Sequence, residues 1–345
     1  MRIISFTIAA LVIAAAYICY RLGFTVPQQV EADLFKFPDT EQYAPFREEM
    51  TAMVKAALAI PYEDVWITSG DGLKLHGKCY TSTPDAPVQI MFHGYKSGAE
   101  RDFCGGLQVA VHGGFNVLLV DQRAHGKSEG KCLAFGVKER YDCLAWINYA
   151  IERFGNDAKI FLYGMSMGAA TVLMASELEL PANVVGIVAD CGYTSPSAII
   201  KKVLREQRCP IFPVYYITRL GGMLFGGFDL ESASAVDALT RCKTPVLFIH
   251  GGDDRFVPCE MGLENYEHCP AENKRLLIVP GAGHGLSCMI DRRAYLDTLN
   301  AFIKFSLERT CCTGKDEYDP SAQETFRTGK SWVYPDLLRY TQLLV

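Results

Sequence analysis

The sequence has no surplus of positive charge: 34 Lys and Arg stand against 39 Asp and Glu, for a net charge of −5. A nucleic-acid surface needs a basic patch or stripe, so that class of partner is not expected. No CxxC pair occurs among the thirteen cysteines, and Cys311-Cys312 has no histidine or further cysteine spaced to complete a zinc site. The cysteine count is odd, the spacings are irregular, and a chain of 345 residues needs no covalent staples. A disulfide framework is therefore not expected either. Cys79, Cys143 and Cys191 fall inside apolar runs, where a free thiol behaves as a small hydrophobe, and this much free thiol points to a reducing compartment. No glycine-rich loop ending in Gly-Lys-Ser/Thr follows a strand, which removes the P-loop route to phosphoryl transfer. Internal repeats and low-complexity tracts are lacking. With 49% apolar and 21% charged residues, the remaining class is an ordinary globular protein.

Long apolar runs are also lacking, with one exception. Residues 3–20 carry no charge and are bracketed by Arg2 and Arg21. As a helix this stretch spans about 27 Å, enough for the hydrocarbon core of a bilayer. Residues 1–21 are thus read as a single N-terminal membrane anchor. The rival is a secretory signal peptide, because Ala14-Ala15-Ala16 offers a small-residue cleavage site and would release a secreted chain. The apolar run continuing past that site favours the anchor. Ile18 before Cys19 argues against a lipoprotein signal. Arg2 on one side against Arg21 and Lys36 on the other leaves the orientation open.

Residues 22–61 read as a helical connector, with helix formers from 43 to 60 and Pro61 as the stop. It either lifts the following domain off the membrane or packs on its flank. From residue 62 the pattern changes. Residues 65–68 and 73–80 around Ser69-Gly70-Asp71-Gly72 read as a hairpin. Short, almost wholly apolar runs follow at 88–92, 117–120, 160–163, 184–189, 246–249 and 276–279, as parallel strands buried on both faces require. Helical segments separate them at 100–112, 137–154, 167–178, 260–268 and 291–307. The expectation is an α/β domain over 62–310: a mostly parallel sheet with an antiparallel start and helices on both faces. Roughly 55 residues separate Ala189 from Val246, far more than one crossover helix needs, and residues 192–235 are read as a small aromatic, glycine-rich lid. A longer crossover with an extra surface helix is the plainer alternative. Residues 311–345 form a C-terminal tail, polar until an apolar stretch at 332–345 that could dock back on the domain.

Gly164-Met165-Ser166-Met167-Gly168 fits G-x-S-x-G. The pattern alone is weak, but here it follows a strand and opens a helix, which is the context its chemistry requires. The sharp turn demands small flanking residues, and it leaves Ser166 exposed at the positive end of a helix dipole. A serine hydroxyl needs a base within hydrogen-bond reach. Among seven histidines, His284 alone is both late in the chain and set in a glycine loop, Pro280-Gly281-Ala282-Gly283-His284-Gly285, after the last strand. The orienting acid must lie between serine and histidine. His250-Gly251-Gly252-Asp253-Asp254 follows a strand and offers two aspartates, between which strand grammar does not choose. An oxyanion hole needs two backbone N–H groups, which such a turn takes from the residue after the nucleophile, Met167, and from the loop after an earlier strand, at Tyr95. His93, placed before the serine, is read as bracing that loop.

The run Phe92-His93-Gly94-Tyr95, then Asp121-Gln122-Arg123-Ala124-His125-Gly126-Lys127-Ser128, then GMSMG, HGGDDRFVP and GAGHG resembles the α/β-hydrolase superfamily. It is most similar to bacterial, N-terminally anchored hydrolases of the serine aminopeptidase-like or lysophospholipase-like kind, over residues 62–308. The resemblance implies the α/β-hydrolase fold and places the acid four residues before the proline of HGxxDxxVP, at Asp254. Ala124 stands where the related motif has its first glycine. The expectation is a serine hydrolase with a Ser166-His284-Asp254 triad that cleaves an acyl ester through an acyl-enzyme, carboxylesterase- or lysophospholipase-like. Neither cofactor nor metal is implied. A serine aminopeptidase-type activity on the same triad is the alternative. It would need acidic lid residues for the substrate amine, and only Glu206, Asp229, Glu231 and Asp237 are available. A non-catalytic scaffold is the third reading. Serine at the elbow excludes the aspartate-dependent dehalogenases and epoxide hydrolases.

Overall fold

The computed structural model describes residues 2–26, 34–270, 272 and 274–311. The tail from 312 to 345, including its apolar stretch, lies outside the described residues. The strands are β1 (Glu63–Thr68), β2 (Lys74–Tyr80), β3 (Val88–Phe92), β4 (Asn116–Val120), β5 (Ile160–Met165), β6 (Val184–Asp190), β7 (Val246–Gly251) and β8 (Arg275–Val279). They form one sheet in the order β1-β2-β4-β3-β5-β6-β7-β8. β1 and β2 are antiparallel to each other and to β4, and every later pair is parallel. This is the α/β-hydrolase architecture. The strands β3, β4, β6 and β7 are buried residue for residue, so they carry no polar alternation to mark a wet face.

Twelve α-helices lie along the described chain: α1 (Arg2–Gly23), α2 (Arg47–Leu58), α3 (Ala99–Asp102), α4 (Cys104–His112), α5 (Glu139–Phe154), α6 (Met167–Ala175), α7 (Pro196–Glu206), α8 (Ile211–Gly221), α9 (Ala235–Leu239), α10 (Cys259–His268), α11 (Ser287–Ile290) and α12 (Arg292–Cys311). One sheet face is covered by α5, α6 and the insertion, with Trp146, Leu173 and Tyr193 in its core. The other is covered by α2, α4 and α12, through Ala57, Leu107 and Phe302. The helix expected over 100–112 is broken at Phe103, just before Gly105-Gly106, and beside the break the Asp102 carboxylate accepts from Gly94 N–H at 2.7 Å and from Ser97.

The connector is not a spacer. α2 packs on α4, with Met53 and Val54 buried beside Cys104. The end of α1 is likewise part of the domain: Ala16 and Phe24 are fully buried, and Phe24 stands edge-on between Phe135 and Phe228. Burying one such ring stabilises by about 2 kcal/mol. The last carbonyls of α1, which no helical N–H can satisfy, are taken by domain groups. Lys96 Nζ donates to Leu22 O, Tyr95 Oη to Gly23 O, and Leu133 N–H to Phe24 O. The sequence boundary at residue 62 therefore marks where the sheet begins, not where the packed unit begins.

Between β6 and β7 the chain forms a helical pair, α7 against α8, followed by a π-helical turn over Gly222–Gly226 and then α9, which rests on α6. Ser195 caps α7 by accepting from Ala198 N–H, and Pro196 opens it. Eleven cysteines, from Cys19 to Cys288, are free thiols.

Candidate active site

Ser166 sits between β5 and α6 with φ +54° and ψ −114°, a conformation that costs an L-residue of order 1–3 kcal/mol. Its surroundings enforce it. A Cβ on Gly164 would come within 2.2 Å of Gly168 O, and one on Gly168 within 1.8 Å of Phe92 O. The two glycines of the motif are thus required by backbone-to-backbone contact, of α6 with its own strand and of α6 with β3. Ser166 N–H is fixed by Asp190 O at 2.8 Å, so the hydroxyl is carried on a rigid turn.

Two loops converge on it. A Cβ on Gly251 would strike Ala282 O at 2.3 Å, and Asp253 N–H donates to Ala282 O at 2.9 Å, so the loops after β7 and β8 run in contact. That contact puts His284 Nε2 2.9 Å from Ser166 Oγ and His284 Nδ1 2.7 Å from Asp254 Oδ2. Asp253 is exposed and turned away, whereas Asp254 is buried. Asp254 Oδ1 accepts from Phe256 N–H and Val257 N–H, both at 2.9 Å. Burial alone would raise the Asp254 carboxyl, but the His284 and His250 rings beside it hold it well below the usual carboxylate range. The stability this confers is present above the unfolded carboxyl range and is lost as pH falls through the lowered folded value.

Met167 is the first residue of α6, where a backbone N–H has no intrahelical partner. Tyr95 lies in the loop after β3, and a Cβ on its neighbour Gly94 would approach Ser166 Cβ to 3.3 Å. The Tyr95 ring packs on Phe135 at 5.2 Å while its hydroxyl reaches back to α1. His93 is buried and ties this loop to the one after β4, its Nε2 accepting from Gln122 N–H at 3.2 Å. The Asp121–Ser128 loop is likewise structural: Arg123 pairs with Asp142 and Asp71, and Ala124 takes a left-handed φ of +64°.

Some residues near the site gave no usable signal in the sequence. His250, at the end of β7, is buried and donates from Nε2 to Val257 O at 2.9 Å, with Asp254 Oδ2 3.4 Å away. It holds the acid loop closed, and a histidine opening HGGDD was the one available hint. Gln42 and Tyr43 were hidden because they precede the sheet. Gln42 Nε2 donates to Asp253 O at 3.0 Å, and Tyr43 Oη donates to His284 O at 2.7 Å. The connector thereby clamps both loops. Tyr43→Phe is expected to cost about 1 kcal/mol of stability. It should also lower kcat by roughly three- to tenfold, with KM little changed, by loosening the His284 loop. Thermal melts and kinetics on a soluble ester check this; wild-type values in both would refute the clamp.

Cys191 Sγ, the Asp254 carboxylate and a His284 ring nitrogen lie within 4.8 Å of one another, close enough to share a metal ion. The chemistry does not fit a resident metal. Burial, reinforced by Asp190 and Asp254, pushes the Cys191 thiol well above its ordinary value, and both His284 nitrogens are already engaged.

A family model described as the alpha/beta hydrolase fold matches residues 87–208, which include β3, the elbow and α7. Over that stretch the chain is similar to the α/β-hydrolase family, in keeping with the α/β-hydrolase fold of the sheet described above. It is similar to the Bacillus subtilis protein YqkD, uncharacterised, with 26% identity over 88% of this chain and 97% of that one. It is 27% identical over 55% of its length to an uncharacterised membrane protein of Saccharomyces cerevisiae, 61% of which is covered. Among solved structures, the Pyrococcus furiosus esterase Pf2001 superposes with a TM-score of 0.60 at 22% identity, over 81% of this chain and 98% of that one.

Proposed function

We propose that the protein is a membrane-anchored serine hydrolase that cleaves an acyl ester. The observation that carries this reading is the hydrogen-bonded line from Ser166 Oγ through His284 to Asp254, set on a strained elbow. Ser166 Oγ attacks the acyl carbonyl as His284 Nε2 takes its proton. Tyr95 and Met167 N–H groups receive the oxyanion. Collapse breaks the ester C–O bond, the leaving alkoxide takes the proton from His284, and the acyl group stays on Ser166. Water, deprotonated by His284, then attacks the acyl-enzyme; the acyl–Ser166 bond breaks, His284 returns the proton to Ser166 Oγ, and the acid is freed.

An ester is favoured over an aminoacyl amide by the state of the acidic residues. Asp229 is bound by Arg219, Glu231 by Lys201 and Tyr215, and Glu206 by Lys202. Of the four acidic residues that could meet a substrate amine, that leaves Asp237, exposed on α9, as the one without an ion pair among the described residues. The esterase among the similar structures supports the same choice. Turnover of acyl esters of graded chain length against aminoacyl amides tests it; amides cleaved faster than every ester would transfer the assignment to a peptidase.

The anchor rests on α1, one described helix long and apolar enough to cross a membrane, at Phe6–Gly23. A cleaved signal peptide is disfavoured because cleavage near Tyr17 would detach Ala16 from the packed unit. Full-length protein is expected to pellet with membranes after a high-salt wash and to keep its original N-terminus. A soluble mature chain beginning near Tyr17 would contradict this.

A further inference from the structure

We propose that α8 and the π-helical turn after it form a second membrane-inserted surface, lying beside α1 in the same leaflet, so that a lipid acyl substrate reaches Ser166 directly from the bilayer. The inference rests on reading α1 as a membrane anchor and Ser166 as the nucleophile.

Depth is the first argument. α1 docks on α8 by its last turns: a Cβ on Gly221 would come within 2.4 Å of Ala16 O, so the two backbones touch. Ala16 lies seven residues before the end of α1, which is about 10 Å along the helix axis. Whatever surrounds the final turns of the Phe6–Gly23 apolar stretch therefore also surrounds Gly221 and the turn at Gly222–Gly226.

Composition is the second. The turn reads Gly222-Met223-Leu224-Phe225-Gly226 and carries no charge. Leu224 is 54% exposed, Phe212 at the start of α8 is 77% exposed, and Tyr216 and Met223 are about half exposed. The patch continues onto α1 through Phe225, whose ring meets Tyr17 at 5.1 Å and Tyr20 at 5.8 Å. A contiguous apolar surface of this kind is not left to water without a use. Of the nearby charges, Arg21 at the end of α1 is exposed and donates to Tyr17 Oη at 3.3 Å, a place from which a long cationic side chain can extend to the headgroups, while two others are held within the protein. Arg219 forms a bidentate pair with Asp229 at 2.6 and 2.7 Å, and Lys138 Nζ donates to Gly226 O at 3.1 Å.

Connection to the site is the third. An aromatic wall runs from Tyr95 to Phe135 and on to Phe24 of the α1 end, with ring centroids 5.2 and 5.8 Å apart. Apolar packing thus links the loop that carries Tyr95, beside Ser166, to the α1 end, and in the proposal an acyl chain passes along this wall when the packed rings part. The occupant of that surface is bilayer lipid.

The test uses the full-length chain in phosphatidylcholine vesicles, with a photoreactive benzoylphenylalanine placed at Leu224, at Phe212, or at Leu58. Leu58 is a partly exposed residue on the opposite face of the sheet. The expected result is a lipid adduct by mass at Leu224 and Phe212, and none above background at Leu58. Adduct at Leu224 and Phe212 no higher than at Leu58, or cross-links to a second copy or another protein instead, would overturn the proposal. A second arm uses Leu224→Glu, expected to lose hydrolysis of an acyl ester embedded in the vesicles while a small water-soluble ester is turned over at the wild-type rate. Equal loss on both esters, or on neither, would count against insertion. Fluorophosphonate labelling of Ser166 in the same sample reads the catalytic assignment separately. Labelled Ser166 without lipid adduct defeats insertion alone, and lipid adduct without Ser166 labelling defeats the nucleophile alone.

Discussion

Ser166→Ala is expected to abolish ester turnover while leaving the fold intact. The substitution removes one oxygen and keeps the Cβ that the elbow already accommodates at φ +54°. The backbone bonds that hold the turn, Ser166 N–H to Asp190 O and Ala170 N–H to Ser166 O, do not involve the hydroxyl. What disappears is the bond to His284 Nε2 and with it the route to an acyl-enzyme. The residual rate should be several thousandfold or more below wild type, the part that binding and the oxyanion hole supply without a nucleophile. Stopped-assay kinetics with a thermal melt as folding control check it. A variant that melts like wild type and retains more than about a hundredth of its turnover would remove Ser166 from the mechanism.

Asp254→Asn is expected to lower kcat by about 10³–10⁴, and Asp253→Asn by less than about tenfold. The two residues are adjacent, yet their surroundings differ. Asp254 Oδ2 faces His284 Nδ1 at 2.7 Å, and its other oxygen is filled by two backbone N–H groups. An amide in that place can present its NH₂ to His284 and select the tautomer that leaves Nε2 protonated, unable to take the serine proton. Asp253 contributes only backbone here, its N–H to Ala282 O and its O to Gln42. Its exposed side chain can be exchanged without disturbing either bond. Steady-state kinetics of the two variants decide the matter, and the reverse ranking would refute the assignment of the acid.

The sheet was readable because parallel strands buried on both faces leave uninterrupted apolar runs; every run from 88–92 to 276–279 became a strand, although the last, β8, is an edge strand in which only Val279 is buried. The serine, the two aspartates and the histidine were readable because each follows a strand in a glycine-rich turn; backbone contact dictates glycine at 164, 168 and 251, and a positive φ favours it at 281 and 285. Choosing Asp254 over Asp253 needed the resemblance to related chains, since adjacent residues in a loop share one spacing. Residues acting from outside the domain's apparent limits could not be read. Gln42, Tyr43 and Phe24 lie before the first strand, and nothing in their local pattern says that they pack on loops or rings more than a hundred residues away. The break between α3 and α4 had one signal in the sequence, Gly105-Gly106 directly after it, while the bond from Gly94 N–H to the Asp102 carboxylate beside the break had none.

The most direct measurement is to map the adduct left by a fluorophosphonate on the full-length protein. The reagent phosphonylates a hydroxyl only where a base withdraws its proton, so it reports the Ser166–His284 bond as chemistry rather than as distance. The account predicts a single adduct on the peptide carrying Ser166, abolished by Ser166→Ala and by His284→Ala. An adduct that persists in Ser166→Ala, or that maps to Ser128 or Ser287, would contradict it.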